Sequence, residues 1–412
     1  MKISILILIF FSVVFNSQEL FSSEIYPELE IAEEPRIMIN TEPALKFYNI
    51  MNYLQGKSEK GFICNNDDKA SIKENYFSNL NDKKLQSMID SLLSLPVYKA
   101  ISEVSKIYYK NAILAKKGKK TYKDAFNNLP YHCVRMNGGR PNSWVEYWNE
   151  GSHKKMHSII EYIQKNEEQI IENAITRCKQ LLPNNYKLEM GADVYIAFDG
   201  NRGSFQKKQM IVIDLVNKEL YDTNFFHNVL THELHHIFYG EWLNNNFFGK
   251  RKRRLNKAQL LQKSMILEGI AQQYTISNYN SQAIELLNNK ELMKEIYDGW
   301  ISIARKINSS IFPRIVSSKM YKNQFRKEIL WLNKFCSEPI EEETIKYRPS
   351  IIYYISYHLY NAIYTKTGLT GLSYVIENPD QLLQEYNRIY TEDMLLPKIP
   401  DDIIIQWSKN LK

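Results

Sequence analysis

The sequence predicts an α+β fold that is predominantly helical, with a small β-sheet beside one central helix. Most of the chain repeats apolar residues at helical spacing. One short region instead concentrates β-branched and aromatic residues at strand spacing, and a strongly apolar helix follows it directly. At 412 residues, the chain is long enough for two or three packed subdomains. Its 44% hydrophobic and 24% charged residues are typical of a globular protein.

The first residues predict an export signal. Lys2 precedes an apolar run from Ile3 to Phe15, which is short for a membrane-spanning helix. We therefore expect residues 1–23 to be a cleavable signal peptide. The mature chain would then be secreted or periplasmic, with no membrane span left after cleavage. The alternative is an uncleaved membrane anchor, and the cleavage site itself is left open.

Three further segments follow the signal. We expect a helical N-terminal region over 24–186, a core of strands and helices over 187–285, and a helical C-terminal subdomain over 286–412. After an acidic, extended lead-in, the N-terminal region shows apolar residues at helical spacing. The predicted helices cover 42–55, 85–95, 97–114 and 153–182.

The core begins with two predicted strands, over 192–198 and 209–215, joined by a turn. Gly240 is expected to end the helix that follows, and a second helix is predicted over 258–274. A later helix is predicted over 349–367. The residues that can cap the first core helix are Asp222, Thr223 and Asn224.

Charge and cysteine usage limit the classes of function. The formal charge of +7 is a mild excess for this length, and no recognisable basic module accompanies it, so we expect no nucleic-acid partner. The dense run Lys250–Arg254 is predicted to be a solvated loop, with a contact to anionic lipid or polysaccharide as the alternative. Four cysteines permit two disulfides with three pairings, or buried thiols. They are Cys64, Cys133, Cys178 and Cys336.

The functional signal lies inside the first core helix, where His232-Glu233-Leu234-His235-His236 forms a His-Glu-x-x-His string. Residues four apart on a helix lie on one face, so His232 and His236 can hold one zinc ion. Glu233, beside the first histidine, can then act as a general base on a zinc-bound water. The alternative is the polar face of an ordinary helix.

Zinc needs a third protein ligand and an open position for water. We expect Glu268 to supply it, because its helix can pack against the motif helix and Gly269 leaves room for close approach. Glu241 is the other candidate ligand, although it lies where the motif helix is expected to end. The alternative for Glu268 is an ordinary surface carboxylate that binds no metal. His235 is expected to pack or to support the ligands, because a site using it would lose the spacing that places Glu233.

These residues make the chain resemble the gluzincin zinc metallopeptidases, in which a glutamate ligand follows His-Glu-x-x-His on a later helix. Within that group the chain is similar to uncharacterised bacterial families of zinc-dependent peptidases. The matching residues are 232–236 and Glu268-Gly269-Ile270-Ala271, with a weaker match at 353–357. The resemblance is specific over about 192–280. It implies a zincin-like catalytic core over 187–285 that holds one Zn²⁺.

Two positions depart from the family pattern. Gln272 stands where an aspartate often orients a zinc-binding histidine, and Ser356 stands where a glycine is expected. An amide oxygen can still accept the imidazole proton, but it raises the basicity of the ligand less than a carboxylate does.

The resemblance implies zinc-assisted hydrolysis of a peptide or protein substrate, with Glu233 as the base. It also implies a side chain that stabilises the oxyanion, and the candidates are Tyr354, Tyr357 and His358. The strand over 194–198 is expected to offer its edge to an extended substrate. The alternative function is a catalytically inactive, zinc-stabilised binding protein of the cell envelope. Cleavage specificity and oligomeric state are not encoded in any of these motifs.

Overall fold

A computed structural model describes residues 36–56, 82–98, 100–101, 152–198, 204–215, 217–249, 255, 257–276, 288–308 and 351–411. Within them the protein is α+β and predominantly helical, which confirms the predicted fold class. The signal peptide, the Lys250–Arg254 run and most of the predicted 97–114 helix lie outside these residues.

The described chain divides into two compact units. The sheet unit lies within residues 35–174 and 190–233, and the helical unit lies within 175–189 and 234–412. The segment boundaries inferred from the sequence stay predictions. None of the described helices combines the length and the apolar character needed to cross a membrane.

Strand β1 and two helices open the sheet unit. Strand β1 spans Ile37–Asn40, helix α1 spans Glu42–Gly56 and helix α2 spans Lys83–Leu93. Both helices lie close to their predicted ranges. Helix α2 begins at Asp82, whose side-chain oxygen accepts two backbone amide protons of the first turn.

The single helix predicted over 153–182 is wrong, because two helices occupy this range. Helix α3 spans Ser152–Lys165 and helix α4 spans Glu167–Lys179. Asn166 separates them, and its side-chain amide donates to the Tyr162 carbonyl at 2.7 Å. Such local bonds from a side chain to the backbone compete with helix continuation.

Three more strands complete the sheet: β2, Ala192–Ala197, β3, Phe205–Lys207, and β4, Met210–Asp214. The four described strands lie in the order β1–β2–β4–β3. Strand β2 runs parallel to β1 and to β4, whereas β3 is antiparallel to β4. The sequence predicted β2 and β4 but missed the two short edge strands.

The expectation that the strand over 194–198 offers its edge to substrate is wrong. Val194 of β2 is in register with Ile39 of β1 on one side and with Ile211 of β4 on the other, so β2 is central. The described edges of the sheet are therefore β1 and β3. Glu167 at the start of α4 already accepts the amide proton of Ile39 at 2.8 Å, which satisfies an outward-facing donor of β1.

Helix α5, Thr223–Leu243, carries the His-Glu-x-x-His string. Among its three candidate caps, Asp222 accepts the Phe225 amide proton at 2.9 Å. Gly240 does not end the helix, which continues to Leu243 and into a π-helical turn over Asn244–Phe248. Buried apolar residues occupy most of the circumference of the helix, which is typical of a helix inside the core. They include Phe226, Leu230, Leu234, Ile237 and Phe238.

Five further described helices build the helical unit. They are α6, Lys257–Thr275, α7, Lys290–Asn308, α8, Ile351–Glu377, α9, Leu382–Ile389, and α10, Asp401–Leu411. Helix α6 runs close to its predicted range, and α8 packs along it. Helix α8 does not end at residue 367 as predicted, because Gly368 adopts φ 66° as a kink and helical structure resumes beyond it.

Cys178 of α4 is fully buried, and burial raises the pKa of its thiol. The cysteines at 64, 133 and 336 lie outside the described residues. Their disulfide pairing therefore stays a prediction.

Candidate metal centre

Helix α5 places His232 and His236 one turn apart. The helical repeat brings residues four apart onto one face, and the uninterrupted helix through this region preserves that geometry. Both imidazoles are largely withdrawn from solvent, with His232 at 9% exposure and the His236 side chain at 10%. The two rings are thus held at the edge of the core, where few water molecules compete for their nitrogens.

Helix α6 supplies the third group. Oε2 of Glu268 lies 3.4 Å from Nε2 of His236. One ligand atom from each of His232, His236 and Glu268 lies within 4.8 Å of the other two. The structure therefore brings together the three residues that the sequence proposed as ligands.

One distance within the cluster matches the separation of two zinc ligands. Two ligands that each lie about 2.0–2.1 Å from a tetrahedral ion are roughly 3.3–3.4 Å apart. The observed 3.4 Å between His236 and Glu268 equals that separation. Two imidazole nitrogens and one carboxylate oxygen also form a donor set that zinc accepts in catalytic sites, where a fourth position stays open.

Glu233 lies beside the cluster and is not one of its three members. Its side chain is buried, at 7% exposure, and it directly follows His232 on the helix. Glu233 is the residue that the string predicts as the general base, and that role stays a prediction.

His235 occupies a different environment from its neighbour. It is fully buried, and its ring centroid lies 5.3 Å from that of Tyr239 and 5.5 Å from that of Tyr274. Its Nε2 lies 2.9 Å from the Leu181 carbonyl oxygen. A carbonyl only accepts, so Nε2 carries the proton and donates it. The ring packs inside the core, which is one of the two roles that the sequence predicted for it.

Glu241, the other candidate ligand, is bonded elsewhere. The Tyr186 hydroxyl donates to its carboxylate at 2.5 Å. Burial, together with this hydrogen bond to Glu241, raises the pKa of Tyr186. The three-residue cluster does not include Glu241.

Gln272 is buried on α6, one turn beyond Glu268. Its side-chain oxygen accepts a hydrogen bond from Oγ1 of Thr275 at 3.1 Å. The Gln272 amide, which stands where related peptidases often have an aspartate, thus makes a hydrogen bond within its own helix.

The three oxyanion candidates lie on α8. Tyr354 and His358 are buried, whereas Tyr357 is partly exposed. The Tyr357 and His358 rings meet edge to face, with their centroids 5.2 Å apart. Burial raises the pKa of Tyr357 to about 12, so its phenol stays protonated near neutrality and can donate a hydrogen bond.

Helix α8 also contributes residues that the sequence did not single out for the site. Ser356 and Tyr360 lie against Gly269, the residue that follows Glu268. Sequence reasoning noted the room that Gly269 leaves but not the side chains that fill it. The sequence signal that could have identified them is the four-residue spacing of Ser356 and Tyr360. This spacing places a small and an aromatic side chain on one face of a helix.

Comparisons with known proteins agree with this geometry. The family model described as "Putative zinc dependent peptidase (DUF5700)" matches residues 89–394, about three quarters of the chain. The matched range contains the whole cluster and the oxyanion candidates. No curated protein and no solved structure matches the chain. With a match of this extent over the cluster His232, His236 and Glu268, the chain belongs to the DUF5700 family.

Proposed function

We propose that this protein is a zinc metallopeptidase that hydrolyses peptide bonds, with His232, His236 and Glu268 as the ligands of a single zinc ion. The observation that carries the proposal is the cluster itself. Its ligand atoms lie within 4.8 Å of one another on the helix of a His-Glu-x-x-His string. Membership of the DUF5700 family supports the same interpretation.

When bound, zinc lowers the pKa of water and polarises a carbonyl group. The chain's own residues hold the ion and move the proton. Glu233 takes the proton from the attacking water and later delivers it to the leaving amine. Its burial at 7% exposure supports this role, because a carboxylate withdrawn from bulk solvent transfers the proton to the substrate with little competition from water.

Tyr357 is the oxyanion donor that the arrangement of α8 favours among the three candidates. Ser356 and Tyr360 mark the face of α8 that meets α6 beside Glu268. Successive helical residues are about 100° apart, so Tyr357 lies one step from Ser356, whereas Tyr354 and His358 lie about 160° away from it. Tyr357 is also partly exposed, which leaves it open to a substrate.

Strand β3 is the edge we propose for an extended peptide substrate. The Ile39 amide of the other described edge, β1, is already bonded to Glu167. A peptide that adds to an edge strand binds through its backbone amides. Peptides methylated at single backbone nitrogens should therefore show a raised KM at alternate positions, and an equal KM at every position would exclude this binding mode.

Export is a further part of the proposal. It rests on the apolar run from Ile3 to Phe15, which lies outside the described residues. Sequencing the N-terminus of the protein recovered from culture medium or periplasm tests it. A chain found intact in the cytoplasm and beginning at Met1 would contradict it.

The decisive test of function uses a library of quenched fluorescent peptides. The purified protein should cleave some members, lose cleavage after chelation and regain it when zinc is added. Glu233→Gln should retain zinc and cleave at least about 100-fold more slowly. A protein that holds zinc but cleaves no peptide would instead be the zinc-stabilised binding protein that the sequence left open.

A further inference from the structure

Helices α6 and α8 approach closely at Gly269, the residue after Glu268. A β-carbon at this position would lie 2.6 Å from Cδ2 of Tyr360 and 2.7 Å from Cβ of Ser356. Real β-carbons essentially never come within 3.0 Å of such atoms. Any side chain at 269 would therefore force α6 and α8 apart or push these two residues out of place.

This contact adjoins a distance that metal binding depends on. Glu268 precedes Gly269 on the same continuous helix, and its Oε2 lies 3.4 Å from Nε2 of His236. A helix responds to a clash largely as a rigid element, so a shift at 269 carries Glu268 with it. Ligand distances in metal sites are expected to lie within about 0.2 Å of their standard values.

The ring of Tyr360, and not its hydroxyl, makes the contact. Both ring carbons Cδ2 and Cε2 lie within 2.8 Å of the position of the absent β-carbon. The hydroxyl is buried and has no hydrogen-bond partner among the described residues. The ring is thus held against the glycine by packing.

We propose that Gly269 is a positioning residue for the metal centre. Its missing side chain lets Ser356 and Tyr360 of α8 seat against α6 at the depth that sets the Glu268 carboxylate on His236. The proposal rests on the zinc site proposed above, but it does not depend on the reaction catalysed there.

Gly240 provides a matched control. It lies inside α5, one turn after His236, and so belongs to the other helix that carries ligands. A β-carbon there would lie 3.8 Å from Cδ2 of Leu267, an ordinary van der Waals distance. Gly240→Ala therefore adds the same methyl group to a helix interior near the metal without a clash.

The test measures zinc affinity by competition with a chromophoric chelator. Gly269→Ala should bind zinc roughly 10- to 100-fold more weakly than the wild type, the range typical of supporting residues around a metal. Gly240→Ala should stay within about twofold. Tyr360→Phe, which keeps the ring, should also retain its affinity. A folded Gly269→Ala protein with wild-type affinity would overturn the proposal.

A double-mutant cycle separates positioning from general destabilisation. If Gly269→Ala acts by moving Glu268, it should have no further effect on zinc affinity in a Glu268→Ala background. An equal loss in both backgrounds would show that the glycine acts by another route, and the proposal would fall.

A second variant covers the case in which Gly269→Ala does not fold. Ser356→Thr adds one methyl group from the α8 side and keeps the hydroxyl, so it should lower zinc affinity in the same direction but less. Wild-type affinity in Ser356→Thr would contradict the proposal. If the wild type binds zinc through Glu268 but hydrolyses no peptide, the proposed function fails and this inference stands.

Discussion

Replacement of two adjacent histidines by alanine is expected to affect two different properties, zinc binding in one variant and stability in the other. His235 and His236 are neighbours in sequence, but about 100° of helical rotation separates their side chains. His236 faces Glu268 at 3.4 Å, whereas His235 donates to the Leu181 carbonyl and packs against two tyrosine rings. The first should matter for metal and the second for stability.

The expected magnitudes follow from these contacts. His235→Ala leaves a buried carbonyl without its donor, which costs about 1–3 kcal/mol, and opens a cavity between two rings. Large-to-small changes in a core cost about 2–5 kcal/mol, so the two costs together should lower the free energy of unfolding by at least about 3 kcal/mol. His236→Ala removes a side chain at the edge of the core and should cost the metal-free protein much less.

Urea denaturation of the metal-free proteins and zinc analysis of the folded ones provide the two readouts. His235→Ala should lower the free energy of unfolding yet still bind zinc, and His236→Ala should lose zinc while the metal-free fold persists. The reverse assignment would refute the geometry of α5. Loss of zinc in both variants, with unchanged stability in both, would refute the packing role of His235.

Three further outcomes are expected. Glu233→Gln should hold zinc with wild-type affinity and lower kcat by about 10²–10⁴, the usual contribution of a general base; full activity would contradict its role. Tyr357→Phe should lower kcat about 10²–10³ with little change in KM, while the neighbouring Tyr354→Phe should not, and the opposite pattern would move the oxyanion donor to Tyr354. Burial raises the pKa of Tyr357 from 10.0 to about 12, so its stabilising contribution is complete below pH 10 and is lost as the pH rises through 12. Between those pH values, urea unfolding of Tyr357→Phe should depend less on pH than that of the wild type, and equal slopes would exclude the shift.

The features predicted from the sequence depend on neighbours within one or two helical turns. The spacing of His232 and His236, the cap at Asp222 and the range of α6 all follow from such local patterns. Glu268 could be predicted for the same reason, because its helix is the next described α-helix after the motif helix.

The features that escaped prediction depend on distant partners. Strand β1 has four residues, and it becomes a strand by pairing with β2 more than 150 positions later. That pairing makes β2 central, which is why the expected substrate edge was wrong. Likewise, the room at Gly269 was visible in the sequence, but its occupants Ser356 and Tyr360 come from a helix far along the chain.

Breaks inside helices also escaped prediction. Asn166 divides a range whose apolar spacing is continuous, because its side chain bonds to the backbone one turn earlier. Gly240 shows the opposite case, since a residue that often ends helices lies inside one beside Leu267.

Zinc K-edge X-ray absorption on the purified protein, combined with metal analysis, tests the central claim most directly. The account predicts one zinc ion per chain, surrounded by nitrogen and oxygen ligands at about 2.0–2.1 Å. It also predicts that this zinc is lost when Glu268→Ala is combined with His232→Ala or with His236→Ala. A protein that contains no zinc after purification in its presence would contradict the account. So would a zinc ion with sulfur ligands at about 2.3 Å, because the cluster at His232, His236 and Glu268 contains no thiol.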